Sequence, residues 1–141
     1  MPSTPSSTTN ASVAQLIEPL QLASLSWLGL RTVSATRLLA VCSRSGSDPL
    51  IELARRFGNC ASARTYLEFA ELVATFWPED VQVMRPCCSL LSPDEMTIAR
   101  MADHAASGDR AGFSAMLEGF VRADRHDPLY ERTTEMVAHM Q

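Results

Sequence analysis

Arg85-Pro86-Cys87-Cys88-Ser89-Leu90-Leu91-Ser92-Pro93-Asp94-Glu95 is the stretch on which the reading of this chain turns. Its second half, Ser92-Pro93-Asp94-Glu95, carries the signals of a helix start. The serine hydroxyl can accept from the third amide, Glu95 can reach back to the cap amide, and Pro93 presets φ where no amide is needed. Ile98, Met101, Ala102 and Ala105 follow at helical spacing until Gly108. Upstream, Val81-Gln82-Val83-Met84 alternates apolar and polar, but no second such run exists to pair with it, so it reads as an extended linker. The chain divides here into two helical halves.

Downstream, Asp109 reads as the cap of a helix carrying Phe113, Met116, Leu117, Phe120 and Val121 on one stripe. Gly112 and Gly119 fall seven apart on it, a spacing that lets a neighbouring helix approach. Asp127-Pro128 predicts the start of a last helix whose stripe is Leu129, Thr133, Met136, Val137 and Met140. Upstream, residues 61–77 bear two apolar stripes, Tyr66-Leu67-Ala70-Val73-Ala74-Trp77 and Phe69-Leu72-Phe76, which predict a central helix ending before Pro78. Asp48-Pro49 and Gly58 frame a short helix over 49–57. A further helix is expected over 31–43 with Val33, Leu38, Val41 and Cys42 inward, Gly29 interrupting the apolar segment before it. Residues 13–18 suit a short helical turn before Pro19, and the Ser/Thr/Pro-rich residues 1–12 a disordered tail. Short Gly- or Asp-marked connections imply antiparallel neighbours. The expectation is an all-α single domain over 13–141, a compact bundle of five to six mostly antiparallel helices.

A chain of 141 residues suits one domain that buries roughly 68–70% of its unfolded surface. All twelve basic residues are arginine. Without lysine there is no P-loop lysine, Schiff base or lysine general base. The net charge of −4 argues against a dedicated nucleic-acid binder, and none is expected as a partner. The charge is uneven: Arg31, Arg37 and Arg44 face Glu18 alone in residues 1–45, a mildly basic third that suits a solvated face or an acidic partner. The longest uncharged apolar run, 19–30, is too short to span a bilayer, which takes about 20 residues. No signal peptide is evident, so a cytoplasmic protein with free thiols is expected; a transit peptide is the alternative for the acid-poor beginning.

Cys87 and Cys88 are the candidate reactive thiols. Arg85 and the helix start at Ser92 are candidate activators, because a guanidinium and the positive end of a helix both favour a thiolate. The competing reading is a pair of small side chains packed under the linker. Adjacent cysteines alone chelate poorly, so a metal would need Cys42, Cys60 or a histidine brought in by folding. His104, His126 and His139 are scattered. Glu131, Glu135 and His139 share one helical face, the arrangement of a solvated flank as much as a ligand row. No Gly-x-Ser-x-Gly or glycine-rich phosphate loop occurs. Residues 49–77 have the outline of a helix-turn-helix, but their second helix spends its faces on Tyr66, Leu67, Phe69, Leu72 and Trp77, leaving few side chains for bases. The methionines at helical spacing read as core filling.

The segment Val81-Gln82-Val83-Met84-Arg85-Pro86-Cys87-Cys88 followed by Leu90-Leu91-Ser92-Pro93-Asp94-Glu95 resembles a pattern in small alphaproteobacterial helical proteins. In these a Pro-Cys-Cys segment precedes a capped, alanine-rich helix. The resemblance spans residues 35–120, implies a helical bacterial domain and supplies no activity; a third cysteine in the pattern is Ser89 here. The functional expectation is a non-enzymatic interaction or regulatory domain that binds a protein partner or itself, with no cofactor. The alternative is a thiol-based redox sensor or metal site at Cys87 and Cys88.

Overall fold

The capping box forms as read. Ser92 Oγ accepts from Glu95 N at 3.0 Å and Glu95 Oε1 accepts from Ser92 N at 3.0 Å, which starts the helix at Pro93. The computed structural model of the protein describes residues 20–141. The readings of 1–12 as a tail and of 13–18 as a helical turn lie outside the described residues.

Among the described residues six α-helices make the bundle: α1 (Trp27–Ser45), α2 (Pro49–Phe57), α3 (Cys60–Phe76), α4 (Pro93–Ala106), α5 (Arg110–Leu117) and α6 (His126–Met140). α3 lies along α6 and α1 along α4, while α4 also packs on α6. Among the described residues there is no strand, only an isolated bridge between Gln21 and Leu90. Residues 81–84 lie in neither helix nor strand and connect the two halves.

The boundaries follow from local chemistry. Asp48, Asn59, Ser92 and Asp109 each accept an amide of the first turn they precede, a contribution of about 1 kcal/mol per helix. Gly46 and Gly58 end α1 and α2 with φ of 75° and 87°, a left-handed conformation that a side chain would strain. The core is continuous: Leu53, Tyr66, Phe69, Met101, Phe113, Leu117, Leu129 and Met136 are at most 1% exposed. Each such side chain contributes about 1.5–3 kcal/mol. A smaller cluster of Val33, Leu91 and Ala99 ties the residues before α4 to α1. Met101, Met136 and Met140 fill the core, as their spacing indicated.

Three expectations need correction. Gly29 does not interrupt α1, which begins two residues before it. Ser26 caps that helix, accepting from Gly29 N at 2.9 Å. A Cβ at Gly29 would meet Ala99 Cβ at 3.2 Å, so the glycine is where α1 and α4 approach closely. Gly112 and Gly119 do not share a helix face: α5 stops at Leu117, and Gly119 is a turn residue at φ 81°. At Gly112 alone the close approach holds: a Cβ there would press on the cap Asp109 and on His104 of the neighbouring α4. Asp127 is not a cap, because a 3₁₀ turn over Ala123–Arg125 leads directly into α6 at His126. Asp127 pairs with Arg110 of α5 instead.

Candidate functional site

The segment between the two halves is held by a side chain that its own sequence does not contain. Arg37, in the middle of α1, is 3% exposed, and Glu95 in the first turn of α4 is 0% exposed. Arg37 Nε donates to Glu95 Oε2 at 2.8 Å, and Nη2 donates to Glu95 Oε1 at 3.1 Å. Two further guanidinium protons reach the linker: Nη1 donates to Cys88 O at 2.7 Å and Nη2 to Leu90 O at 2.8 Å. Glu95 in turn accepts from Met84 N at 3.3 Å as well as from Ser92 N. Both ends of residues 84–92 are therefore fastened to one ion pair. The Glu95 hydrogen bond holds Arg37 above the ordinary guanidinium range, against an opposing effect of burial. Such a pair is stable only because its polar atoms are satisfied on both sides.

The thiols sit in the loop that this pair fastens. Cys88 N donates to Arg85 O at 3.0 Å, closing a turn that leaves Cys87 exposed and Cys88 half-buried. The Arg85 side chain is exposed and makes no ion pair among the described residues. The Arg37 guanidinium grips the backbone of Cys88. Ser92 occupies the Glu95 amide of α4, and its hydroxyl also donates to Gln82 O. That helix end thus serves its own cap and the linker. Cys42 is buried on α1 and Cys60 exposed at the start of α3. Among the described residues no group of three His, Cys, Asp or Glu is placed to hold a metal ion.

The other polar candidates have structural partners. The ring of His126 bonds Val121 O at 2.8 Å. His104 Nδ1 lies 3.1 Å from Asp109 Oδ2. Glu131, Glu135 and His139 form an exposed flank of α6. Glu68 accepts from Arg132 at 2.7 Å. Along α3, Tyr66, Phe69 and Val73 point into the core, so the second helix of the helix-turn-helix outline spends its apolar faces on packing.

One surface feature was not singled out in the sequence. Trp27 opens α1 and is 61% exposed, the largest apolar side chain presented to solvent among the described residues. The Arg31 guanidinium, one turn on, lies between two rings, 5.3 Å from the Trp27 centroid and 5.0 Å from that of Phe57. Arg31 Nε is shielded from solvent and has no hydrogen-bond partner among the described residues. Leu30, adjacent on the same helix face, is 39% exposed. The signal in the sequence was the i, i+3, i+4 set Trp27-Leu30-Arg31, hidden by reading Gly29 as a break.

No protein-family model matches the chain, and no curated protein or solved structure compared with it is detectably similar. No helix among the described residues is long and apolar enough to cross a membrane.

Proposed function

We propose that this protein is a non-enzymatic helical interaction domain whose binding surface is the Trp27-Leu30-Arg31 face of α1. The observation that carries the reading is the Arg31 guanidinium held between Trp27 and Phe57 beside an exposed tryptophan. Tryptophan and arginine are the residue types that dominate binding energy at protein interfaces. Here the arginine is oriented in advance by two aromatic faces, so little side-chain entropy remains to be lost on binding. The partner this surface suits is a protein segment presenting apolar side chains and a carboxylate. The carboxylate would meet a guanidinium that lacks an ion-pair partner among the described residues.

A photo-crosslinking amino acid placed at Leu30 in living cells tests this. The expected result is a discrete adduct of higher mass that disappears with Trp27→Ala, while the same probe at Arg44 gives none. Adducts at both positions alike, or a crosslink only to the chain's own residues 1–19, would count against the surface.

One observation favours a second reading, a thiol switch at Cys87 and Cys88: the exposed turn carrying both sulfurs is fastened through Cys88 O to a buried ion pair. Closing a Cys87–Cys88 disulfide, with a peroxide or a second disulfide taking up the two electrons and two protons, would act on the turn whose Cys88 carbonyl Arg37 holds. The rate of alkylation against pH separates the readings, since titration like an ordinary thiol, near about 8.5, would remove this one.

A further inference from the structure

A half-open cleft of about 320 Å³ lies between α1 and α3, closed off by residues of the 81–83 linker and α4. Its volume falls at the lower end of the roughly 300–1,000 Å³ found for small-molecule sites. The cleft exists because its walls carry small side chains. Ala40 and Ser43 line it from α1, Ala70 and Ala74 from α3. The apolar stripe of α3 places Ala70 and Ala74 with the core residues Tyr66 and Val73, yet Ala70 is only half-buried and Ala74 is exposed. Neighbouring helices do not close over them.

The chemistry of the lining narrows the occupant. No charged side chain contributes to it; its polar side chains are Thr36, Ser43 and Tyr66. Thr36 and Tyr66 join the two walls, with their hydroxyl oxygens 2.7 Å apart. Thr36 also donates to Thr32 O at 2.9 Å. The single threonine proton cannot serve both contacts, so retaining both makes Tyr66 the donor to Thr36. The pair then has lone pairs left to offer and no free proton. Water in such a lining finds few partners and is readily displaced by apolar atoms.

From the small-residue walls, the absence of charge in the lining and the acceptor-only hydroxyl pair, we infer that this cleft binds an uncharged, mostly hydrocarbon small molecule about the size of two or three fused or linked rings, carrying one N–H or O–H donor. An anion of the same size would lose its hydration and meet no cation, with the Ser43 hydroxyl the one side-chain donor left in the lining, so it is selected against. The site is separate from the Trp27 surface and does not depend on it.

The test uses two dyes that share one skeleton. N-phenyl-1-naphthylamine is neutral and carries a single N–H; 8-anilinonaphthalene-1-sulfonate adds a negative charge. With the full chain, the neutral dye should bind at one site with a blue-shifted, saturable rise in fluorescence and a Kd on the order of 10 μM. The sulfonate should bind about tenfold or more weakly. Ala70→Phe, which fills the cleft, should weaken the neutral dye at least about tenfold without loss of helicity. Ala74→Leu, at an exposed position, is the second filling variant and should act in the same direction should the first fail to fold. Trp27→Ala should leave the affinity unchanged. An unsaturable signal, equal binding of the two dyes, wild-type affinity in the folded filling variants, or loss of binding in Trp27→Ala would each overturn the assignment.

Discussion

Arg37 and Glu95 meet 2.8 Å apart in the interior, 58 positions apart in the chain, and their shared hydrogen bonds fasten residues 84–92 to α1 and α4. The pair ties the linker between the two helical halves to both of them, which makes its removal informative. Arg37→Ala or Glu95→Ala alone leaves the other charge buried and unpaired, and each should destabilise the fold by about 3–5 kcal/mol. The double change Arg37→Ala with Glu95→Ala should cost clearly less than the sum of the two single losses. Chemical denaturation of the four proteins measures this directly; additive losses would show that the two side chains act independently. Hydrogen exchange should quicken across 84–92 in the double variant, because Cys88 O and Leu90 O lose their donor.

The start of α4 makes a smaller and separate prediction. Ser92→Ala removes the cap to Glu95 N and the bond to Gln82 O, and should cost about 1–2 kcal/mol. Ser92→Asp keeps an acceptor for the amide but loses the proton given to Gln82, so it should recover only part. A Tm series over the three proteins reads the order.

Two groups bear on opposite ends of the pH profile. Burial pushes the Tyr66 phenol up, opposed in part by the Thr36 hydroxyl. A raised folded value means stability that is complete below the ordinary phenol value of about 10 and falls as pH rises above it, where the unfolded chain alone ionises. Tyr66→Phe should flatten that alkaline decline in denaturant titrations. The Gly112 amide, with a lesser contribution from His104, holds the Asp109 carboxyl below its usual range. Its contribution is present above the ordinary carboxylate value and fades as pH falls through the lower folded value. The carboxyl carbon shift of Asp109, followed by NMR, should titrate below that of a model peptide. A midpoint at or above the peptide value would contradict the cap.

The four thiols should separate under native conditions. Cys60 and Cys87 are exposed, Cys88 is half-buried and Cys42 is 2% exposed. Mass spectrometry after brief alkylation should find the first two modified and Cys42 intact until denaturant is added. Early modification of Cys42 would mean that α1 opens locally.

What the sequence made legible was local. Ser92-Pro93-Asp94-Glu95, Asp48-Pro49 with Gly58, and Asp109 each act within four residues, and the helices begin where those groups can be satisfied. The errors have the same origin. Asp127-Pro128 has the outline of a cap, but a 3₁₀ turn and the pairing with Arg110, seventeen residues away, override it. Gly29 reads as a break until Ala99, seventy residues on, is seen to pack closely against it. Arg37 could not be found at all. A lone arginine on a helix looks solvated, and the carboxylate that justifies its burial already had a local role at the cap. Trp27 was visible, but exposure is a property of what fails to pack against a residue, and no short pattern records that.

The interaction surface is tested most directly by fluorine NMR of the 5-fluorotryptophan-labelled protein, because its two tryptophans differ in environment. Trp77 is 6% exposed and serves as the internal reference for Trp27. In dilute purified protein, Trp27 should show a large shift between H₂O and D₂O and Trp77 almost none. Inside cells of its own organism, the Trp27 resonance should move and lose that solvent shift while Trp77 keeps its position. A Trp27 signal as exposed in the cell as in dilute solution would contradict the account.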